Sequence, residues 1–300
     1  MSNNMIKLTT TEINKFNHDG FLVIPRLINA NLVARLIERI EPLFSGEFET
    51  GIYPDEWYWR PSLSLPDVTR EMCNVWKSDL TIASVVLSAE IGRLSATLAG
   101  WTGARIGQDS LWWKPSGGKE VALHQDATYI KYIDPPEMIT CWIALDDTSA
   151  DAGTIEYVRG SHKWRLLDSV AEFHAPTQGY RAQMLQAAAE MGISNPEIVQ
   201  VEIPAGGCVF HHGNVWHGSG KNTRTDKVRR SLGVHTLSSE AKFRPRGAGY
   251  IYGRYQRVGD TTMDESFFPI LWTKNGDRTP FLVNYCKDAL ATPVLEGLSV

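Results

Sequence analysis

The residue types of a metal site occur in the segment 122–127, which reads Ala-Leu-His-Gln-Asp-Ala. On a strand, alternate side chains project to the same face, so His124 and Asp126 would direct an imidazole nitrogen and a carboxylate oxygen to one point. Two histidines and one carboxylate on one face of a metal, with open positions opposite, form the centre of non-haem iron(II) oxygenases. The pair alone is weak evidence, because such short motifs arise by chance.

A second segment, 206–220, supplies candidates for the third ligand. It contains His211, His212 and His217, and its His217-Gly-Ser-Gly turn is followed by Arg229. A histidine at the end of one strand and an arginine on the next would place a metal ligand beside an anchor for a carboxylate, which a guanidinium pairs bidentately. We expect His211 and His212 to pack in the core or behind the ligands, with His212 as the candidate to orient a ligand.

Hydrophobic periodicity predicts that these segments belong to a β core preceded by helices. The pattern predicts helices over 9–18, 30–44 and 78–100 and a strand over 20–25. From about residue 104, short runs of β-type composition separated by turn residues predict strands over 105–113, 120–124, 138–146, 154–158, 198–203, 206–212 and 228–238. The interval 162–196 is more polar and predicts a helical insertion.

Strands at this spacing favour an antiparallel sandwich or barrel, so the expected fold class is α+β, mainly β. We expect one domain over 1–300, in which 1–103 is mostly helical support, 104–240 is the β core and 241–300 is a C-terminal extension.

Composition limits the function classes. The net charge of −4 and the pI near 6.1 argue against a nucleic-acid partner, which needs a basic surface. No apolar stretch approaches the roughly 20 residues of a membrane span. The four cysteines are scattered without disulfide or zinc spacing, which favours a reducing, cytoplasmic location. The oligomeric state does not follow from the sequence, and a small-molecule substrate is the expected partner.

Several short motifs accompany the histidines in order along the chain. They are Phe16-x-x-x-Gly20-Phe-Leu-Val-Ile24, Lys114-Pro115, His124-Gln-Asp126, Trp142-Ile-Ala-Leu-Asp146, Gly153-Thr-Ile-Glu-Tyr-Val-Arg-Gly-Ser-His162, His217-Gly-Ser-Gly-x-Asn222 and Arg229. In this combination, from about residue 9 to about residue 238, the sequence resembles the phytanoyl-CoA dioxygenase family of iron(II)/2-oxoglutarate oxygenases. The ordered set is far more specific than any single motif.

The resemblance implies a double-stranded β-helix, or jelly-roll (cupin-like), core. Carried over by position, it implies that His124, Asp126 and His217 bind iron(II) and that Arg229 pairs with the distal carboxylate of 2-oxoglutarate. It implies four further co-substrate contacts, from Ser219, Trp142, Gln125 and, most loosely, Ser110. Because the insertion 223–227 lengthens the connection to Arg229, a tighter turn would put Arg230 in its place; otherwise Arg230 is a surface charge.

The resemblance also implies an activity. O2 would oxidise a C–H bond of a small organic acid, amino acid or natural product, with release of succinate and CO2. Related halogenases carry Gly or Ala at the carboxylate position, so the presence of Asp126 favours hydroxylation or another oxidation over halogenation. An acyl-CoA substrate is a further option.

Three segments are candidates to line a substrate pocket: the aromatic loop 53–59, the stretch 125–135 with Tyr129 and Tyr132, and the stretch 243–258. The last contains Arg244, Arg246, Tyr250, Tyr252, Arg254 and Tyr255. Its arginines would recognise an acidic group or else belong to a solvated loop. Two other functions stay open: a cupin-like metal protein or oxygenase that does not use 2-oxoglutarate, and a catalytically silent binding protein with the same fold.

Overall fold

Helices at the start of the chain support the β core in the computed structural model, which describes residues 5–167, 172–245 and 249–286. They are α1 (Thr10–Asp19), α2 (Ala30–Ser45), α3 (Leu80–Val86) and α4 (Ala89–Ala99). Thr9 and Glu12 form a reciprocal cap at the first turn of α1, and Gly46 ends α2 in the left-handed conformation, with φ at 92°. Residues suited to helix ends therefore determine these boundaries.

The helix predicted over 78–100 is in fact two helices. Between them, the Ser88 hydroxyl accepts hydrogen bonds from the N–H groups of Glu90 and Ile91, so it caps α4. By length and composition the stretch Leu80–Ala99 could cross a membrane. However, 61% of its most apolar 18-residue segment is buried within the protein. A buried core helix passes the same test, so this is weak evidence for a membrane span.

Two antiparallel sheets form the β core. The strands are β1 (Phe21–Ile24), β2 (Glu56–Trp57), β3 (Arg70–Cys73), β4 (Gly103–Lys114), β5 (Val121–His124), β6 (Ile133–Asp134), β7 (Ile139–Ala144), β8 (Ile155–Val158), β9 (Ile198–Gln200), β10 (Cys208–His212), β11 (His217–Ser219), β12 (Arg229–Ser238), β13 (Lys242–Phe243) and β14 (Ile270–Thr273). The larger sheet has the order β1-β10-β7-β12-β4-β3-β2, with β14 also paired to β4, and the smaller sheet has the order β5-β11-β8-β9. This arrangement confirms the mainly β, antiparallel class.

Alternation along the central strands separates two faces of the larger sheet. Ile143 of β7 and Leu232 and Val234 of β12 pack in the main hydrophobic cluster with residues of α2 and α4. Trp142, next to Ile143, instead packs with Ile155 of the smaller sheet. The face turned away from the helices therefore carries the side chains that meet the smaller sheet.

The insertion predicted over 162–196 is helical only in part. Its described residues include one α-helix, α5 (Ala182–Glu190), and the end of a 3-10 turn at Ser161–Lys163. Pro176 lacks the N–H that a continuing helix needs. Nearby, His174 forms an isolated antiparallel bridge with Val121 at the start of β5, which brings this connection against the core.

The described residues after β12 pair with the core. β13 pairs with β6, and β14 pairs with β4 at the edge of the larger sheet. A short helix, α6 (Leu282–Tyr285), follows. The described part of the predicted extension, up to residue 286, therefore contacts the core.

Candidate metal centre

His124, Asp126 and His217 meet at adjacent strand ends of the smaller sheet. His124 ends β5, His217 begins β11, and the two are direct partners in the antiparallel register. Asp126 begins a 3-10 turn rather than continuing the strand. The His124 and His217 Nε2 atoms lie 3.3 and 3.5 Å from Asp126 Oδ1. One ligand atom of each residue lies within 4.8 Å of the others, and all three residues are buried.

Backbone carbonyl groups fix the orientation of both imidazoles. His124 Nδ1 lies 2.9 Å from the carbonyl oxygen of Ala122, and His217 Nδ1 lies 3.1 Å from that of Val215. Because a carbonyl oxygen only accepts hydrogen bonds, each Nδ1 carries a proton, and Nε2 is the atom of each ring whose lone pair can bind a metal. Both lone pairs lie on the side of Asp126, which is the tautomer that a metal ligand requires.

The second oxygen of the Asp126 carboxylate is held by the larger sheet. Thr140 Oγ1 on β7 donates to Oδ2 at 2.8 Å, and His211 Nε2 on β10 lies 3.1 Å from the same oxygen. His235 on β12 lies beside them, with Nδ1 2.9 Å from the Thr140 hydroxyl. These contacts fix the carboxylate and leave Oδ1 facing the two ligand histidines.

The donor set fits a divalent cation. Two Nε2 lone pairs and one carboxylate oxygen face each other as acceptors, an arrangement that a cation relieves. Burial, followed by the neighbouring His124, holds the pKa of His217 well below its usual value, which keeps this ring neutral. Burial alone would raise the pKa of Asp126, but the hydrogen bonds and charges of the groups around the carboxylate outweigh burial and hold it well below its ordinary value. Two neutral imidazoles and one carboxylate are the donors of a facial iron(II) site.

Arg229 and Ser219 line the same cavity as the three ligands, and its volume is about 250 Å³. The Arg229 guanidinium is buried and donates to Ser231 Oγ at 3.0 Å, to the Gly153 carbonyl oxygen at 3.0 Å and to Ser219 Oγ at 3.3 Å. Burial lowers the pKa of Arg229 to about 10, so it stays charged at neutral pH. No carboxylate pairs with it among residues 5–167, 172–245 and 249–286. A buried charge of this kind favours an anionic ligand.

Lys114 lies behind Ser219 as a second buried cation. Its Nζ donates to Ser219 Oγ at 2.8 Å and also to the Gly220 carbonyl oxygen. Burial, reinforced by Arg229, lowers the pKa of Lys114 well below its usual value. Because Ser219 Oγ accepts hydrogen bonds from both cations, its own O–H remains available as a donor.

The remaining predicted co-substrate contacts divide into two groups. Trp142 and Ser110 line the cavity, on β7 and β4, the two strands of the larger sheet that flank β12. Gln125 does not line it, and that expectation has to be corrected. Its Nε2 donates to the Asn214 carbonyl oxygen and its Oε1 accepts from the Leu167 N–H. Strand alternation explains the difference, since the side chain between His124 and Asp126 points to the opposite face.

Two alternatives left open by the sequence are resolved by side-chain direction. Arg230 lies outside the cavity and pairs with Asp146, with both side chains about one-fifth exposed. His211, and not His212, contacts a predicted ligand. His212 Nδ1 instead accepts a hydrogen bond from the Asn214 N–H, which favours the packing role expected for His212 over the alternative that it orients a ligand.

The candidate substrate-lining residues are only partly in the cavity. Those in its wall are Tyr58, Tyr129, Tyr250 and Tyr252. Tyr132 and Tyr255 are not in its wall. Arg254 pairs with Glu56, and Arg244 lies 3.9 Å from Asp134, so neither arginine serves the cavity. Arg246 lies outside the described residues.

Several residues of the site were missed by the sequence analysis. Ser231 and His235 follow Arg229 at even spacing on β12, and Thr140 precedes Trp142 by two residues on β7. Period-two spacing would have identified them as sharing a face with predicted site residues. The sequence contains no comparable signal for Phe173 and His174, because a loop brings them to the cavity wall.

Several known proteins are similar to this chain in sequence or fold. A mouse protein named phytanoyl-CoA dioxygenase domain-containing protein 1 is 22% identical over 286 residues, covering 78% of this chain and 92% of its own. Phytanoyl-CoA dioxygenase 1 of Oryza sativa subsp. japonica is 28% identical over 134 residues, and the matched region spans 42% of its length. The epimerase SnoN of nogalamycin biosynthesis, solved with Fe3+, alpha ketoglutarate and nogalamycin RO, has a TM-score of 0.67 at 22% identity, covering 87% of this chain and 97% of SnoN.

The family match covers most of the chain. The family described as phytanoyl-CoA dioxygenase (PhyH) matches residues 16–231. That region contains the three ligand candidates, Arg229 and Lys114. The chain therefore belongs to the phytanoyl-CoA dioxygenase family.

Proposed function

We propose that this protein is an iron(II)- and 2-oxoglutarate-dependent dioxygenase. It hydroxylates, or otherwise oxidises, a C–H bond of a small organic acid, amino acid or natural product and releases succinate and CO2. The observation that carries the proposal is the placement, in one cavity, of a His-Asp-His group and a buried arginine without a carboxylate partner among the described residues. A metal site alone would not need that arginine.

Each residue has a proposed task. His124, His217 and the Oδ1 atom of Asp126 hold iron(II), since their lone pairs face a common point. Arg229 and the Ser219 hydroxyl bind the distal carboxylate of 2-oxoglutarate through charge-assisted hydrogen bonds. Lys114, Trp142 and Ser110 support or line that part of the cavity: Lys114 contacts Ser219, and the other two lie in the wall.

Bound iron(II), with 2-oxoglutarate and O2, supplies the oxidising chemistry, while the protein supplies ligation, orientation and exclusion of water. Thr140 and His211 keep the Asp126 carboxylate turned so that one oxygen faces the histidines. Asp126 occupies the position at which a halogenase needs room for chloride, so oxidation without halogen transfer is the proposed outcome.

The proposed fold in finer detail is a double-stranded β-helix. Four strands of the larger sheet, in the order β4-β12-β7-β10, alternate along the chain with strands of the smaller sheet, except at β8 and β9, which follow each other and pair within the smaller sheet. Such alternation winds one continuous chain through two facing sheets and leaves the ligands at strand ends between them.

Anaerobic spectroscopy tests the proposal. Iron(II) and 2-oxoglutarate are added to the protein without O2, and the weak visible charge-transfer band of the chelate is recorded. We expect the band with wild-type protein, its loss in Asp126→Ala, and no band with iron(II) alone. Iron binding without the band would favour a metal protein or oxygenase that does not use 2-oxoglutarate. Absence of both iron binding and the band would favour a silent binding protein.

A further inference from the structure

A glutamate that the proposed chemistry does not use lies in the wall of the same cavity. Glu71 is on β3, opposite Trp112 of β4 in the register, and both residues line the cavity. Its side chain is only 6% exposed. Apart from the ligand Asp126, it is the only carboxylate of the cavity wall among the described residues. It neither contacts the ligand set nor pairs with the arginine.

Aromatic rings connect this glutamate to the metal centre. The rings that line the cavity are Tyr58, Trp112, Tyr129, Phe173, Tyr250 and Tyr252. Phe173 lies with its ring centroid 4.6 Å from that of the ligand His124 and 6.0 Å from that of Trp112. Tyr129 in turn lies 5.7 Å from Tyr250. The wall between the ligands and Glu71 is therefore continuous and aromatic.

The contacts of Glu71 within the protein are hydrogen bonds rather than a pairing with lysine or arginine. His174 Nε2 lies 3.1 Å from Oε2, and the Cys73 thiol donates weakly to Oε1 at 3.5 Å. No lysine or arginine pairs with Glu71 in the described part of the chain. One imidazole and one thiol leave the carboxylate without a lysine or arginine beside it, and a buried carboxylate is costly until a cation pairs with it.

Charge and ring chemistry at this wall are complementary to a cation. Aromatic faces attract an ammonium group electrostatically, and the attraction is larger where water is excluded. Arg229 has the opposite preference and, in the proposed function, is paired by the co-substrate. The wall of the cavity thus holds Arg229 of β12, which favours an anion, and Glu71 of β3 with the aromatic rings, which favour a cation.

We propose that Glu71 and the surrounding rings bind a positively charged amino or quaternary ammonium group of the substrate. This inference rests on the proposed function and names its substrate class: an amine-bearing molecule whose C–H bond is directed toward the ligand residues. Glu71 is a specificity-determining residue in this account, while iron and 2-oxoglutarate binding are independent of it.

A series of three probes of similar shape tests the charge preference on wild-type protein. Benzylammonium, benzyl alcohol and benzoate are titrated by calorimetry into metal-free protein and into anaerobic protein loaded with iron(II) and 2-oxoglutarate. We expect benzylammonium to bind about tenfold more tightly than benzyl alcohol in both preparations, and benzoate to bind most weakly in the loaded protein, where 2-oxoglutarate already pairs with Arg229. Equal binding of the cation and the alcohol, or no binding of the cation at millimolar concentration, overturns the proposal.

Matched variants test which side chain causes the preference for benzylammonium. Glu71→Gln keeps the side-chain shape and should remove the advantage of benzylammonium, whereas Glu71→Asp should retain part of it. Glu56→Gln on the adjacent strand β2 removes a charge outside the cavity and should leave the preference unchanged. His174→Gln should also retain it, since this substitution leaves the carboxylate in place. Loss of the preference in His174→Gln but not in Glu71→Gln would contradict the assignment.

Failure of the proposed cation site can be distinguished from failure of the proposed dioxygenase function. If the charge-transfer band is absent but benzylammonium is still preferred, the cation site stands and the dioxygenase proposal fails. If the band forms in wild type and Glu71→Gln alike but no probe shows a charge preference, the cation site alone fails. Thermal unfolding of Glu71→Gln checks its fold, and the wild-type probe series decides the question even if that variant is unstable.

Discussion

Asp126 has a different task for each of its carboxylate oxygens. Oδ2 accepts hydrogen bonds from Thr140 and His211, while Oδ1 faces the Nε2 atoms of His124 and His217. The residue therefore both completes the ligand set and ties it to the larger sheet. A carboxylate with only one of these roles would tolerate substitution better.

Asp126→Ala should abolish iron-dependent turnover of 2-oxoglutarate. Loss of the only anionic ligand should weaken iron(II) binding on the order of a hundredfold or more. Iron content after dialysis and succinate release measure the effect. Asp67→Ala is the control, because Asp67 is 44% exposed and pairs only with Lys119. Normal turnover in Asp126→Ala would refute the ligand assignment.

Arg229 and Arg230 provide a matched pair of substitutions one residue apart. Arg229→Gln should raise the KM for 2-oxoglutarate about a hundredfold, because a buried charged hydrogen-bonding partner of the carboxylate is lost. Arg230→Gln removes only a partly exposed pair with Asp146 and should change that KM little. Steady-state kinetics with varied 2-oxoglutarate measures both. Equal effects of the two substitutions would show that the wrong arginine has been assigned to the carboxylate.

At the scale of elements, three neighbouring strands act on one carboxylate. β7, β10 and β12 are adjacent in the larger sheet and supply Thr140, His211 and His235 around Asp126. The ligand itself is on a turn after β5 of the smaller sheet. Contact between sheets, rather than the turn alone, therefore determines where the ligand oxygen points.

Thr140→Val should weaken iron(II) binding roughly tenfold to a hundredfold while leaving all three ligands in place. Valine keeps the branched shape but cannot donate to Asp126 Oδ2. Competition with a chelator measures the affinity, and Thr140→Ser, which retains the hydroxyl, should bind iron nearly as wild type does. Equal affinities of the valine and serine variants would mean that the hydrogen bond does not position the carboxylate.

Acid should lower the free energy of unfolding of the whole molecule through His212, a histidine outside the cavity. Burial, followed by the proximity of His162, lowers the pKa of His212 to about 4 from its ordinary 6.5. Between these two values the unfolded chain binds a proton at His212 and the folded protein does not. Acid therefore favours unfolding over this range. Below about pH 4 the contribution of His212 to the free energy of unfolding no longer changes with pH.

The prediction concerns the difference in free energy of unfolding between wild type and His212→Gln. Wild type should lose free energy of unfolding relative to His212→Gln as the pH falls from about 6.5 to about 4, because glutamine can accept the Asn214 N–H but does not titrate there. Urea unfolding of metal-free protein at several pH values measures it. A difference between the proteins that does not change with pH would contradict the shifted pKa.

Sequence predictions succeeded where short-range signals decide the outcome. The Thr9–Glu12 cap and the strand runs after residue 104 have counterparts in the structure, because local hydrogen bonding and alternation determine them. Ser88 shows the limit, since one hydroxyl divides a helix that apolar periodicity predicts as continuous. All four cysteines are free and buried, and the cytoplasmic location predicted from their spacing stays a prediction.

The sequence by itself determined the family, the mainly β class and the residues His124, Asp126, His217 and Arg229 as candidates, because their types and order are local properties. Tertiary structure decided which neighbours face the cavity: His211 rather than His212, Arg229 rather than Arg230, and not Gln125. It also brought Glu71 to an aromatic wall. The physical reason is that strand register and packing between sheets decide the direction of each side chain, and both depend on residues distant in sequence.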